Sequence, residues 1–330
     1  MTAEPATPPW LSVLVPAFDA APHVEAMLRS VLVQGDDGVE VVVVDDASRD
    51  DTAARVRRVA ERDARVRFTA NPDNTGVAHV RRQLLDAARG GYVWFVDADD
   101  VVADGALESL HALLREDPVD LVLCDFRTLH AAPWRRRRRS TFSGPAAGDD
   151  RDVLLAGALE AAQLHVWSRI ARRTLWQAVD FPSRARYEDM PAVAQLLSMA
   201  ARWRHVAQPW IGYRQRAGSL SRAVPVDALA DHAAALAEVR ACLAPHAHSA
   251  RARHALDYLL LRGHAAIARR LHRAGCADGD VAEVCHAAFL RDLPDAGADA
   301  LAQCRRRGWW LRAARIATAL DRVGWRSDAG

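Results

Sequence analysis

Along the first half of the chain, short runs of β-branched and aliphatic residues alternate with amphipathic stretches. Leu11 to Pro16 (LSVLVP) reads as a strand and is followed by a helical pattern through Leu32. Val39 to Asp46 (VEVVVVDD) reads as a second strand, with a helix from about Asp50 to Arg62 after it. RVRFTA, a helix from Gly76 to Arg89 and the strand YVWFVDADD beginning at Tyr92 continue the alternation. Strands that are apolar throughout are buried on both faces, as in parallel sheets. The first half is therefore expected to form a doubly wound, mostly parallel α/β sheet. Ser48-Arg49-Asp50-Asp51 predicts a capping-box start for the second helix. Asp120 to Phe126 (DLVLCDF) adds a strand, Arg127 to Asp150 reads as a loop or lid, and Asp152 to about Ala201 has a helical pattern. Beyond Val226 the sequence is rich in Ala, Leu and Arg with helical periodicity and no strand signal. The expected division is an α/β domain over 1–225 and an all-α region over 226–330.

With 330 residues, half of them hydrophobic, the chain can bury a large core. A formal charge of +2 gives no reason to expect a nucleic-acid partner. All 44 basic residues other than histidine are arginine, which fits codon bias and carries no functional weight. Five scattered cysteines without a CxxC pair fit reduced thiols in the cytoplasm better than a disulfide framework. His272, Cys276, Cys285 and His286 match no metal template, so ordinary packing is favoured for them. MTAEPATPPW lacks the features of a signal peptide, and no apolar run approaches the ~18 to 20 residues that span a bilayer. The expected location is cytoplasmic, with any membrane contact peripheral and at the inner face.

Chemistry concentrates at the carboxyl ends of the strands, where open α/β sheets bind ligands. Pro16-Ala17-Phe18-Asp19, Asp45-Asp46 and Asp97-Ala98-Asp99-Asp100 all fall on that edge. Asp-x-Asp after a buried strand suits Mg2+ or Mn2+, whose charge offsets carboxylate repulsion and can bridge a diphosphate. The plainer alternative is that Asp99 or Asp100 caps the helix beginning near Gly105. Asp45-Asp46 is also compatible with ribose binding in a dinucleotide fold, but PAFDAAPH lacks the glycine-rich turn that fold requires. Phe18 can stack on a base while Asp46 accepts from its edge; core packing is the competing reading for Phe18.

VPAFDA, DDASRDDT, NPDNTGVAHVR, GGYVWFVDADD, VWSRIARRTL, YEDM and YRQRAGSLS, in this order and spacing, resemble family 2 glycosyltransferases of the GT-A fold. The likeness is strongest to bacterial members that build cell-surface polysaccharides. It covers roughly Leu11 to Arg222 and says little about Val226 to Gly330. It implies nucleotide binding by Pro16, Phe18, Asp46, Arg81 and Asp97, a divalent metal ligand at Asp99, and a catalytic base at Asp189 with Glu188 as its rival. Tyr213, Arg214 and Ser219 match a motif near the diphosphate or acceptor. Adjacent helical residues point about 100° apart, so one of Glu188 and Asp189 is expected to face the pocket. The implied activity is inverting transfer from a nucleotide sugar, UDP-sugar favoured, to a hydroxyl on a glycan, lipid-linked or other acceptor. Mn2+ or Mg2+ is the implied cofactor. Departures from the family pattern are Asp19, where asparagine is usual, and Val80-Arg81-Arg82-Gln83-Leu84, which place His79 and Arg82 as residues able to reshape the nucleotide pocket. Arg135 to Arg139 can bind a lipid phosphate or form a solvated loop, the latter favoured. The competing functions are a nucleotidyltransferase, which should carry a basic Gly-rich loop absent here, and a noncatalytic sugar-nucleotide scaffold.

Overall fold

The computed structural model describes residues 8–129, 137–183, 186–215 and 225–326. β1 (Leu11–Ala17), α1 (Val24–Leu32), β2 (Val39–Asp45), α2 (Thr52–Ala60), β3 (Val66–Ala70), α3 (Val77–Ala87) and β4 (Tyr92–Phe95) form the expected alternation. β5 (Val101–Val102), α4 (Ala106–Glu116), β6 (Leu121–Leu129), β7 (Arg138–Arg139), β8 (Ala147–Gly148) and α5 (Arg151–Ala161) follow. Next come β9 (Arg169–Arg172), α6 (Arg173–Gln177), α7 (Asp189–Met199) and β10 (Trp203–Arg214). The chain then becomes helical through α8 (Ala228–Leu243), α9 (Ala250–Ala274), α10 (Asp280–Asp292), α11 (Ala298–Arg306) and α12 (Trp310–Asp321).

Strands align in the order β3-β2-β1-β4-β9-β6-β10-β5, with β7 beside β6 and β8 beside β10. β3, β2, β1 and β4 are parallel neighbours, whereas β9 runs antiparallel between β4 and β6. Alternate strand side chains serve two cores, as the period of two requires. Val13, Val15, Val41 and Val43 pack with α1 and α4, while Leu14, Val42, Val44 and Phe95 face α3, α5 and α7.

The helical reading of Asp152 to Ala201 is corrected by β9. Four residues, two of them arginine, give no run long enough to display an alternation, although Ile170 and Ala171 are fully buried. The loop over Arg127 to Asp150 is likewise more ordered than expected. β6 extends to Leu129, and Arg138 pairs across to Arg127. Buried Asp125 accepts from Arg138 Nε and Nη2 at 2.9 and 2.7 Å, from Ser140 Oγ at 3.1 Å and from Thr141 N at 3.0 Å. Arg138 is thus committed to the sheet; Arg135 and Arg136 lie outside the described residues. The capping box is also replaced. Ser48 Oγ accepts from Asp19 N and donates to Asp45, and Asp50 instead accepts from Thr52 N at 2.9 Å and Ala21 N at 3.0 Å.

The helical region shares a continuous core with the sheet's second face, where α9 packs on α5 and α8 on α7. Asp152 at the start of α5 accepts from His248 N and Ser249 N, both at 2.8 Å, which fixes the beginning of α9. At the other end of α5, Glu160 accepts from Arg251 at 2.9 Å and Arg307 at 2.6 Å. Between them, the Phe142 ring lies against Gly157 so closely that a Cβ there would stand 2.3 Å from it. Gly157→Ala should therefore destabilise the protein by roughly 1–3 kcal/mol through overpacking, read as a lower urea midpoint. An unchanged midpoint would show that the ring has room to move.

Candidate active site

β4 carries the chain into Asp97, Asp99 and Asp100, and one carboxylate oxygen from each lies within 4.8 Å of the others. Asp100 is not a helix cap. The residue before α4 is Gly105, with φ 74°, and the first-turn amide Leu107 N donates to Gln34 Oε1 at 3.1 Å rather than to Asp99 or Asp100. Asp100 Oδ1 instead accepts from Arg214 N at 2.8 Å, while Arg214 Nε donates to Asp99 O at 2.9 Å. The end of β10 thereby holds the acidic turn in place. Asp100 Oδ2 is buried and accepts no hydrogen bond among the described residues. Burial pushes the Asp97 carboxyl up to about 6, against the pull of Arg81, and burial also raises Asp100, reinforced by Asp97 and Asp99. An all-carboxylate donor set at this spacing fits Mn2+ or Mg2+.

Arg81, on α3, is the cation facing this cluster. Only 4% exposed, it donates through Nη1 to Glu188 Oε1 at 2.5 Å. Desolvation pulls its guanidinium down, but Glu188, Asp97 and Asp189 more than reverse this and hold it protonated. Glu188 itself is 7% exposed, and its carboxyl is raised by burial despite Arg81. Asp189 begins α7, with its side chain 23% exposed and Oδ2 3.5 Å from His165 Nδ1. The neighbouring carboxylates are therefore differently placed, one locked inward on arginine and the other open beside histidine.

From His165 an aromatic row leads across the site. Its ring stacks on Trp167 at 4.7 Å, and Trp167 stacks on Tyr213 at 5.3 Å. Phe126 meets Trp167 edge-on at 4.8 Å. Neither His165 nor Trp167 stood out in the sequence as a site residue. The one available signal was the position of Trp167 within VWSRIARRTL.

At the other strand ends, Pro16 occupies β1 opposite Val44 of β2. Phe18 is 42% exposed rather than packed in the core, and the Arg49 guanidinium lies 5.4 Å from its ring centre. Asp19, in the left-handed region at φ 45°, accepts from Arg49 N at 2.8 Å and pairs with that guanidinium. Asp46 does not point freely at a ligand. It accepts from Asn71 Nδ2 at 2.9 Å, Thr75 N at 2.9 Å, Thr75 Oγ1 at 2.8 Å and Gly76 N at 2.8 Å. These bonds outweigh burial and hold its carboxyl below the usual range. Arg82 turns away to Val179 O at 2.9 Å and Asp180. Ser219 lies outside the described residues. The structure thus brings Arg81, Asp97, Asp99, Glu188, Asp189 and Arg214 together, with Phe18 and Asp46 at adjacent strand ends.

Comparison with known proteins bears on this arrangement. The family model described as "Glycosyl transferase family 2" matches residues 12–185. Relatives include the uncharacterized glycosyltransferase EpsJ of Bacillus subtilis, 26% identical over 68% of this chain and 66% of its own. Glycosyltransferase GlyG of Streptococcus pneumoniae is 22% identical over 64% of this chain and 73% of its own. The uncharacterized glycosyltransferase YibD of Escherichia coli is 27% identical over 64% and 63%. The match thus spans about two thirds of the length of these curated relatives. Among solved structures, S. aureus TarS 1-349 in complex with UDP-GlcNAc superposes with a TM-score of 0.70 at 21% identity, covering 94% of this chain and 89% of that one. A mannosyltransferase from Pyrobaculum calidifontis, solved with GDP-Man and Mn2+, gives a TM-score of 0.54 at 22% identity, over 97% and 88%. These likenesses carry the GT-A fold, and with more than half the sequence matched by the family model, the chain belongs to glycosyl transferase family 2.

Proposed function

We propose that this chain is an inverting glycosyltransferase that moves a sugar from a nucleotide sugar, a UDP-sugar in preference, to a hydroxyl of a cell-envelope glycan or lipid-linked acceptor. The observation that carries the reading is the unequal placement of Glu188 and Asp189. Glu188 is held by Arg81 at 2.5 Å, which leaves Asp189 as the more accessible carboxylate of the pair. Nucleotide sugars bound to TarS and to the Pyrobaculum enzyme support the donor class.

In this scheme the acceptor hydroxyl gives its proton to Asp189 as its oxygen attacks the anomeric carbon. The bond from that carbon to the nucleotide diphosphate breaks on the opposite face, so configuration inverts. His165, whose Nδ1 lies 3.5 Å from Asp189 Oδ2, orients the base. The stack His165, Trp167 and Tyr213 presents an apolar wall beside the base, suited to the C–H face of a sugar ring. Arg81 contributes fixed positive charge among Asp97, Glu188 and Asp189. Arg214 keeps Asp99 and Asp100 in register. Phe18 lies on the face expected to meet the base, and Asp46 shapes that pocket by ordering Asn71 to Gly76. A divalent cation held by Asp97 and Asp99 would supply positive charge for the diphosphate leaving group.

Asp189→Asn should keep nucleotide-sugar binding, measured as thermal stabilisation across a donor panel, and lose transfer by roughly 10²–10⁴-fold. Full transfer in that variant would refute the base assignment. Asp99→Ala should instead abolish the part of nucleotide stabilisation that depends on Mn2+.

The raised Asp97 carboxyl sets a pH dependence. A proton and a cation compete for the same oxygens, and the proton gains as pH falls through about 6. Stabilisation by Mn2+ should therefore be full at pH 7.5 and shrink progressively below about pH 6. A thermal shift independent of pH over this range would show that the cation binds elsewhere.

A further inference from the structure

The arginine run of the α/β domain is tied to the sheet through Arg138, but the last two helices carry a different cationic surface. Residues 302–320 contain five arginines and no acidic side chain. One of them, Arg307, is committed to Glu160 at 2.6 Å. The other four, Arg305, Arg306, Arg312 and Arg315, are exposed, and none forms an ion pair among the described residues. Between them stand Trp310 and Leu311, 63% and 75% exposed.

Helical geometry explains why these residues face outward. At 100° per residue, Ala313, Ile316, Ala319 and Leu320 share the buried side of α12. Leu311, Ala314, Arg315 and Thr318 fall on the opposite arc, with Trp310 at its margin beside Ala317. The inward face already satisfies packing on α9 and α11, so the outward Trp and Leu are not needed for the fold. A large aromatic ring and a leucine left in water beside four cations are costly unless something covers them.

We infer that the outward face of α12, with the end of α11, docks on an anionic lipid bilayer surface. Charge complementarity favours this occupant. An interfacial helix combines Trp and Leu on one arc with arginines that reach the headgroups, and anionic lipid adds attraction for each unpaired cation. A second copy of the same face would instead set like charges against each other about a twofold axis. No helix among the described residues is long and apolar enough to cross a membrane, so the contact lies along the surface. The inference is independent of the donor chemistry and does not rely on Asp189 or the acidic cluster.

The test is co-sedimentation of the full chain with phosphatidylcholine vesicles, with and without phosphatidylglycerol, at low and high salt. Pelleting should require phosphatidylglycerol and decline with salt. Each arginine among Arg305, Arg306, Arg312 and Arg315 changed to glutamine should weaken partitioning about fivefold at low salt. Trp310→Ser with Leu311→Ser should weaken it about tenfold or more while thermal stability and nucleotide binding persist. Thr318→Glu, which adds charge to the same exposed arc without touching the core, should weaken it in the same direction. Pelleting equal to wild type in these variants, or no pelleting of the wild type, would overturn the inference. So would sedimentation velocity showing a dimer that the Trp310/Leu311 variant loses, since the face would then belong to a second copy.

Discussion

One buried cation makes this site possible. Arg81 sits nine-tenths or more out of water among Glu188, Asp97 and Asp189, groups that would otherwise repel one another and resist desolvation. Its partners come from separate parts of the chain: Arg81 from α3, Asp97 from the end of β4, and Glu188 from the turn into α7. Removing Arg81 would leave three carboxylates without their shared cation, so the same contact constrains both the folding of three elements and the charge available to a substrate.

The helical region participates in that constraint. Tyr187, immediately before Glu188, is held in the left-handed region at φ 62°, where a side chain other than glycine costs of order 1 kcal/mol. His232 of α8 stacks on its ring at 4.2 Å, and burial drives this imidazole down to about 3, so it stays neutral near Asp189. The shared core of α5, α7, α8 and α9 makes the helices part of the support for the acidic loop. An isolated α/β domain would lose the Tyr187 contact and the ties from Asp152 and Glu160.

Much of the fold was legible because its evidence was local. Runs such as VVVV need no partner to announce a strand buried on both faces, and the strand ends marked the acidic edge at once. β9 was hidden because its identity depends on two distant neighbours, β4 and β6, rather than on its own four residues. The site shows the same division. Motif order pointed to Asp97, Asp99 and Asp189, but hydrogen bonds between remote segments assigned Asp46 to the Asn71–Gly76 turn and Asp100 to Arg214. The resemblance favoured Asp189 over Glu188, but the contact that occupies Glu188 reaches a partner 107 residues away and no local pattern shows it.

The account's central claim is that these adjacent carboxylates divide their work: Glu188 is the counter-ion of Arg81 and Asp189 accepts the proton. The most direct test is the pH–rate profile of Glu188→Gln, which keeps the shape and hydrogen-bonding capacity of the side chain while removing its charge. With one negative neighbour fewer, the Asp97 carboxyl, which Glu188 helps to raise, ionises more readily, so the acidic limb should move to lower pH while transfer at its plateau stays within about tenfold of wild type. A loss of transfer at all pH values, with fold and nucleotide binding intact, would contradict the claim and make Glu188 the base.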